Sequence, residues 1–600
     1  MTRRAFGMGL AWKISGAAFA LLALAPLAGA DAASQPAVEA RNGMVVSSQR
    51  LASEAGLAIL EHGGNAVDAA VAVGYALAVV NPCCGNIGGG GFMTLHIADG
   101  SKGPHDVFIN FRETAPGAAS EKMYLDADGN VIKDLSLYGY LAAGVPGTVM
   151  GMERALAHYG SRSRADVMAA AIRLARDGFV LTRADTDILD TKTARFAQDP
   201  EAARIFLRPD GKPFQPGDRL VQTDLAHTLE LIAKHGPDGF YKGRVAKAVA
   251  EASAKNGGIL TEKDFADYTV TETKPLTCSY RGYDLASAPP PSSGGTTICE
   301  IFNVLEGYDI KAMGFRSAES VHVMAEAMRH AFMDRNTYLG DPAFVDNPLD
   351  RLLSKDYAAA IRDKIQPNRA TPSSEVQPGA EPHEKTETTH YSVVDKSGNA
   401  VSVTFTINGG FGAGVIAPGT GFFLNDEMDD FTSKPGVKNL YGLVQGAANR
   451  IEPGKRPLSS MSPTLVTKDG KTVLVLGSPG GSRIITIVLE TVMNLVDYGM
   501  APQEAVDAPR IHHQWLPDEI FYETYGLSPD TIKLLADMGY TLTEQKPWGA
   551  AELIAVGDAA TGTRDAASSG GDSAHSGRVL PGFLYGANDS RRPAGAAVGY

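Results

Sequence analysis

Cysteine is scarce in this chain, and that scarcity excludes several classes of protein. Four cysteines in 600 residues, Cys83, Cys84, Cys278 and Cys299, are too few for a disulfide-built scaffold. They form no CxxC pair and no zinc spacing. Cys83 and Cys84 are adjacent and are not expected to bond to each other, whereas Cys278 and Cys299 admit either a bridge or two buried thiols. Excess positive charge is also lacking. The formal net charge of −13 argues against a nucleic-acid partner, which requires a basic face. Beyond the N-terminal thirty residues no apolar run has the length of a membrane span. There is no internal repeat. The two glycine-rich loops, Gly85 to Gly91 and Gly477 to Ser482, lack the lysine of a phosphate-binding Walker loop. His512 and His513 are adjacent, so they point differently in any regular element and are read as structural rather than as metal ligands.

What is present reads as a globular, exported protein. The composition is 44% hydrophobic and 20% charged, and the length requires two or more domains or one large layered domain. Arg3, Arg4 and Lys13 precede the apolar run Ile14 to Leu27 and the small-residue sites Ala28-Gly29-Ala30 and Ala30-Asp31-Ala32. This is the pattern of a secretory signal over residues 1–30, and it places the mature chain in the periplasm or outside the cell. Thr2-Arg3-Arg4-Ala5-Phe6 leaves general and twin-arginine export both open.

Helical spacing is expected over Leu51 to Val80, broken at Gly63-Gly64-Asn65, over much of 145–255, and over Ala318 to Asn336. Tight backbone packing is expected of Gly85 to Gly91. Pro367 to Lys385 is rich in Pro, Ser, Glu and Gln and reads as a solvated linker. A hairpin follows, Thr388 to Asp395 and Ala400 to Ile407, joined at Lys396-Ser397-Gly398-Asn399. Asp558 to Ser576, rich in Ala, Gly and Ser, reads as a surface loop.

The chemistry converges on Thr388, where linker meets strand. A threonine hydroxyl needs a base to become a nucleophile. Cleavage before Thr388 would create an α-amine of intrinsic pKa about 7.7–8.0, a base on the same residue. The alternative is an ordinary β-branched strand start. Thr404, Thr406 and Asn408 share one face of the return strand. A two-residue turn would set Thr388 opposite Ile407, and a longer loop would bring Thr406 or Asn408 across from it. Glu427-Met428-Asp429-Asp430 is either a carboxylate cluster or a solvated turn. Gly477 to Ser482, between an apolar strand and the helical pattern Arg483 to Val496, presents backbone N–H groups suited to an anion or an oxyanion.

The run Thr388-Thr389-His390-Tyr391-Ser392-Val393-Val394-Asp395 resembles the start of the small subunit of γ-glutamyltransferases. Phe111-Arg112-Glu113, Pro290 to Gly295, Asp334-Arg335-Asn336, Asp429-Asp430-Phe431, Arg456 to Pro463, Gly477 to Arg483 and Pro509 to His513 resemble further family segments in family order, covering about Gly43 to Tyr600. The resemblance implies an α+β N-terminal nucleophile hydrolase fold, a four-layer αββα sandwich of two stacked antiparallel sheets. It implies autocatalytic cleavage into a large subunit (31–387, ending in the linker 367–387) and a small subunit (388–600) that remain paired as a heterodimer.

By the same resemblance, Thr388 is the nucleophile, Thr406 positions its amine, and Gly480 and Gly481 form the oxyanion hole. Arg112, Ser459 and Ser460 hold the donor α-carboxylate, and Asn408, Glu427 and Asp430 hold its α-ammonium. Pro435 to Lys455 resembles a lid, with Tyr441 closing it. The donors implied are glutathione and other γ-glutamyl compounds, and the acceptors are amino acids, dipeptides or water. No cofactor is implied. Two other readings remain open at this level. One is a cephalosporin (glutaryl) acylase on the same scaffold, and the other is a non-catalytic periplasmic amino-acid-binding protein.

Overall fold

The computed structural model describes residues 34–98, 103–376, 388–557 and 579–600. The expected signal (1–30), the latter part of the expected linker (377–387) and the stretch 558–576 lie outside the described residues.

Two seven-stranded sheets form the centre. In spatial order the first contains Ala596–Gly599, Gly43–Ser47, Thr389–Asp395, Ala400–Thr406, Gly90–Ile97, His105–Phe111 and Thr271–Thr273. The second contains Val38–Ala40, Leu584–Asn588, Glu552–Val556, Lys471–Gly477, Thr464–Lys468, Tyr283–Ser287 and Leu276–Tyr280. Every pairing within both is antiparallel. Each sheet takes strands from before and after Thr388, so neither part of the chain can complete a sheet alone.

Helices cover the two outer faces. Ala66–Val80 lies on the first sheet, backed by Arg50–Glu61 and Arg164–Asp177, while Gly294–Leu305, Ala318–Tyr338 and Ile484–Val496 cover the second. This is the expected four-layer α+β sandwich. Ala66–Val80 is apolar on every side and is buried throughout, as such a helix must be. Its start is fixed by a capping box: the Asn65 side chain accepts from Val67 N and Asp68 N, and Asp68 accepts from Asn65 N. The Gly63-Gly64-Asn65 break is therefore a true boundary between two helices.

Strand alternation builds the seam between the sheets. In Thr389–Asp395, Tyr391 and Val393 face the helices, whereas His390, Ser392 and Val394 face the other sheet. Near Val394 the seam is apolar, with Met44, Val46, Ala400, Leu465, Val475 and Ile554. Toward Thr388 it turns polar. Ser402 Oγ donates to Leu476 O at 2.9 Å, Ser392 Oγ donates to Glu552 O at 3.1 Å, and the His390 ring lies between Thr404 Oγ1 at 2.8 Å and Ser392 Oγ at 3.1 Å. Burial pulls the His390 imidazole down to about 3, so the ring is neutral.

The hairpin loop is the longer of the two alternatives. Asp395 N bonds Asn399 O at 3.1 Å across Lys396-Ser397-Gly398, with Gly398 at φ +86°. The register pairs Thr389 with Phe405 and so sets Thr388 level with Thr406. The glycines at 85–91 pack as expected, and a Cβ on Gly89 would lie 1.8 Å from Thr406 O.

Two expectations are corrected. Cys83 and Cys84 are disulfide-bonded, because the buried turn that follows Ala66–Val80 folds both sulfurs together. Cys278 and Cys299 are bridged as well, which resolves that pair in favour of a bond between strand Leu276–Tyr280 and helix Gly294–Leu305. The stretch read as a solvated linker is docked at 370–373. Glu326 accepts from Thr371 N at 3.1 Å, Asp518 accepts from Ser373 N at 2.6 Å, and Ser373 Oγ donates to Trp515 O at 2.7 Å.

The sheets approach closely at Gly477, where a Cβ would lie 2.3 Å from the His390 ring. Gly477→Ala is therefore expected to cost about 1–3 kcal/mol through overpacking of the seam, read as a lowered Tm. An unchanged Tm would show that the seam has room to spare.

Candidate active site

The site lies where the polar end of the seam opens. Thr388 immediately precedes its strand and is only 4% exposed. Its Oγ1 is 3.4 Å from Thr406 Oγ1, which in turn accepts from Asn408 N at 2.8 Å. Asn408 has φ +71°, a left-handed turn that ends the strand face and swings its amide toward the same space. A cavity gathers Thr388, Thr406, Asn408, Arg112, Glu427, Asp430, Tyr441, Ser459, Ser460 and Gly481 in one lining. Of the residues expected to form the site, only Gly480 is not in that lining, and it is the immediate neighbour of one that is.

Arg112 follows the strand His105–Phe111 and is fully buried. Its guanidinium bonds both Glu427 and Asp430, Glu113 Oε2 lies 3.5 Å away, and its Nε donates to Pro457 O at 3.2 Å. Glu427–Asp430 form a buried 3-10 turn, not a solvated one. The Asn425 amide braces that turn against Gly88 O at 2.8 Å and Gly144 O at 2.9 Å, and Glu427 N donates to Asn425 Oδ1 at 3.0 Å. Burial drives the Glu427 and Glu113 carboxyls upward, and the Arg112 charge opposes it. Two acceptors of the lining, Asn408 Oδ1 and Glu427 Oε2, are buried without a hydrogen-bond partner among the described residues.

The serine loop is braced by the proline-rich loop. Ser459 N donates to Pro291 O at 2.8 Å, Ser293 N donates to Ser459 O at 2.8 Å, and Ser292 Oγ donates to Met461 O at 2.6 Å. On the opposite wall, strand Lys471–Gly477 leads into a glycine turn with φ +144° at Gly480 and +56° at Gly481, then into helix Ile484–Val496. Gly481 of this turn lies in the cavity lining.

Tyr441 and Leu443, from the segment 435–455, form part of the cavity lining. Tyr441 OH donates to Asn408 O at 2.9 Å, and Gln514 Nε2 donates to Tyr441 O at 3.3 Å. A Cβ on Gly481 would lie 2.4 Å from the Tyr441 ring, so the ring can rest there only against glycine. Asp429 ties the segment down by accepting from Leu440 N at 2.7 Å and from Ser136 Oγ at 2.6 Å; burial raises its carboxyl to about 6.

Five lining residues were not singled out from the sequence: Arg335, Leu443, Leu458, Met461 and Ile484. The apolar four carry no individual signal. Arg335 carries one, as a charged residue on a helix, Ala318–Tyr338, that is buried along most of its length. His512 and His513 are buried in separate networks. His512 contacts Thr486 and Gln514 at 2.9 Å each, and His513 contacts Arg329 at 3.2 Å and Asp518 at 3.3 Å.

The family model described as gamma-glutamyltranspeptidase matches residues 52–597. The chain belongs to that family. It is 57% identical over 569 residues to a glutathione hydrolase proenzyme of Pseudomonas sp. (strain A14), covering 95% of this chain and 96% of the relative. It is 49% identical over 564 residues to the glutathione hydrolase proenzyme of Escherichia coli (strain K12), covering 94% and 93%. Among solved structures, the cephalosporin acylase of Bacillus halodurans superposes with a TM-score of 0.79 at 26% identity, covering 96% of this chain and 99% of that one. The chain is thus a γ-glutamyltranspeptidase-family enzyme with the N-terminal nucleophile hydrolase fold, and a non-catalytic binding protein is set aside. Among the described residues no helix is long and apolar enough to cross a membrane.

Arg112 is held by three carboxylates, so removing it should strand their charge. Arg112→Ala is expected to cost about 3–5 kcal/mol, seen as a large fall in Tm. Arg112→Met combined with Asp430→Asn should recover a substantial part of it. Equal Tm losses for the single and the double variant would contradict the charge-balance account.

Proposed function

We propose that the chain cuts itself between Glu387 and Thr388 and then acts as a γ-glutamyltransferase and glutathione hydrolase with Thr388 as nucleophile. The observation that carries this reading is the placement of Thr388 at a strand start, in the lining of that cavity, across from Thr406 and beside the Gly481 turn. In processing, Thr388 Oγ1 attacks the Glu387 carbonyl carbon. The C–N bond breaks, the amine takes the proton, and water then cleaves the ester to leave the Glu387 carboxylate. The two subunits, 31–387 and 388–600, stay paired because each sheet needs both. The printed name of both relatives, proenzyme, agrees with such a precursor.

In turnover the freed α-amine takes the proton of Thr388 Oγ1 as it attacks the γ-carbonyl of the donor. His390 is no substitute base, because its ring is bonded within the seam and held near pKa 3. Thr406 orients the amine, and the N–H groups of Gly480 and Gly481 stabilise the oxyanion. The donor C–N bond breaks, the leaving amine takes the proton, and water or an acceptor amine releases the γ-glutamyl group. Tyr441 keeps bulk water out during that interval.

Arg112, Ser459 and Ser460 hold the α-carboxylate, and Asn408, Glu427 and Asp430 hold the α-ammonium. The unpartnered Asn408 Oδ1 and Glu427 Oε2 favour this donor over a glutaryl one, since only the glutamyl group brings N–H donors to them. Residues 1–30 act as an export signal, so the donor is met in the periplasm or outside the cell.

Purified protein should run as two bands, the smaller beginning Thr-Thr-His-Tyr-Ser. Thr388→Ala should remain one chain and lose γ-glutamyl anilide cleavage by about 10⁴-fold or more. Normal cleavage in that variant would overturn the mechanism.

A further inference from the structure

The cavity is lined by two buried arginines, and they differ in the counter-charge they meet. Arg112 meets Glu427, Asp430 and Glu113. Arg335, equally buried, meets no carboxylate in an ion pair among the described residues. Its hydrogen bonds go to neutral oxygens: Ser293 Oγ at 3.0 Å, Asn336 Oδ1 at 2.8 Å, Gln445 Oε1 at 3.3 Å and Ser460 Oγ at 3.2 Å. A guanidinium has no acceptor and stays protonated in a protein, and a buried charge without a counter-ion is costly. Burial pulls Arg335 down to about 10, with Asp430 opposing that shift and Arg112 adding to it, so it remains charged at neutral pH. The positive charge that awaits an anion in this cavity is therefore that of Arg335.

The bond to Ser460 adds direction. Because Ser460 Oγ accepts from Arg335, its own hydrogen is left to donate into the cavity. We infer that Arg335 is a donor-recognition residue: it supplies the uncompensated positive charge for the α-carboxylate of the donor and turns the Ser460 hydroxyl toward it. This deepens the glutamyl-donor reading and rests on it. It also divides the work between the arginines. Arg112 is balanced by carboxylates and organises the ammonium end as much as the carboxylate end, while Arg335 makes the pocket select for an α-carboxylate.

Three anilides separate the contributions: γ-glutamyl, 4-aminobutanoyl, which lacks the α-carboxylate, and glutaryl, which lacks the α-ammonium. Wild-type processed enzyme should prefer the γ-glutamyl anilide over both. In Arg335→Gln the preference for γ-glutamyl over 4-aminobutanoyl, as kcat/KM, should fall by about 20-fold or more, chiefly through KM. The preference over glutaryl should fall much less, because the ammonium contacts remain. Arg335→Lys should restore part of the first preference. If Arg335→Gln fails to process, Arg335→Lys decides alone: a fall of about fivefold or more in the first preference supports the inference, and an unchanged preference overturns it. Equal losses on all three anilides would mean that Arg335 is only structural. A wild-type enzyme that does not cleave the γ-glutamyl anilide would instead refute the donor reading itself.

Discussion

The Arg112 guanidinium is buried and balanced by carboxylates, and the site around it is organised by that pairing. Glu427 and Asp430 supply the counter-charge from a turn that would otherwise be a solvated surface feature. Asn425 and Ser136 hold the turn, and through Asp429 the same turn anchors Leu440 of the segment 435–455. Charge balance around Arg112 and anchorage of the segment that carries Tyr441 are thus one construction.

The second constraint is the seam between the sheets. Thr388 owes its position to a strand that is buried on both faces, so its register has no freedom to slip. The close approaches at Gly477 and Gly89 fix the same end of the hairpin from two sides. Placed this way, Thr388 is carried by strand backbone rather than by a loop. The ladder hydrogen bonds of that strand begin at Thr389, the residue after it.

Much of this was legible in the sequence, for identifiable reasons. The hairpin showed as period-2 alternation, and the long helices showed as apolar periodicity interrupted at glycine. The glycine turn at 480–481 showed because it falls between a strand and a helix. The residue facing Thr388 was not legible, since the loop at 396–398 fixes the register and two loop lengths fitted the sequence equally well. The burial of Glu427 to Asp430 was hidden as well. A run of acids reads as solvated until the arginine that neutralises it, more than three hundred positions away, is brought alongside. Arg335 lay within a segment already compared with the family, yet its isolation from carboxylates is a property of tertiary packing alone. The Cys83–Cys84 bond and the docking of 370–373 are likewise products of local tertiary folding that sequence spacing does not encode.

The central claim, that Thr388 carries the acyl group, is tested most directly by quenching the processed enzyme during turnover of a γ-glutamyl donor without acceptor and mapping its peptides by mass spectrometry. The account predicts one γ-glutamyl addition on the peptide that begins at Thr388, lost when a dipeptide acceptor is added before the quench. Addition at any other residue, or rapid turnover with no adduct at Thr388 under single-turnover conditions, would contradict it.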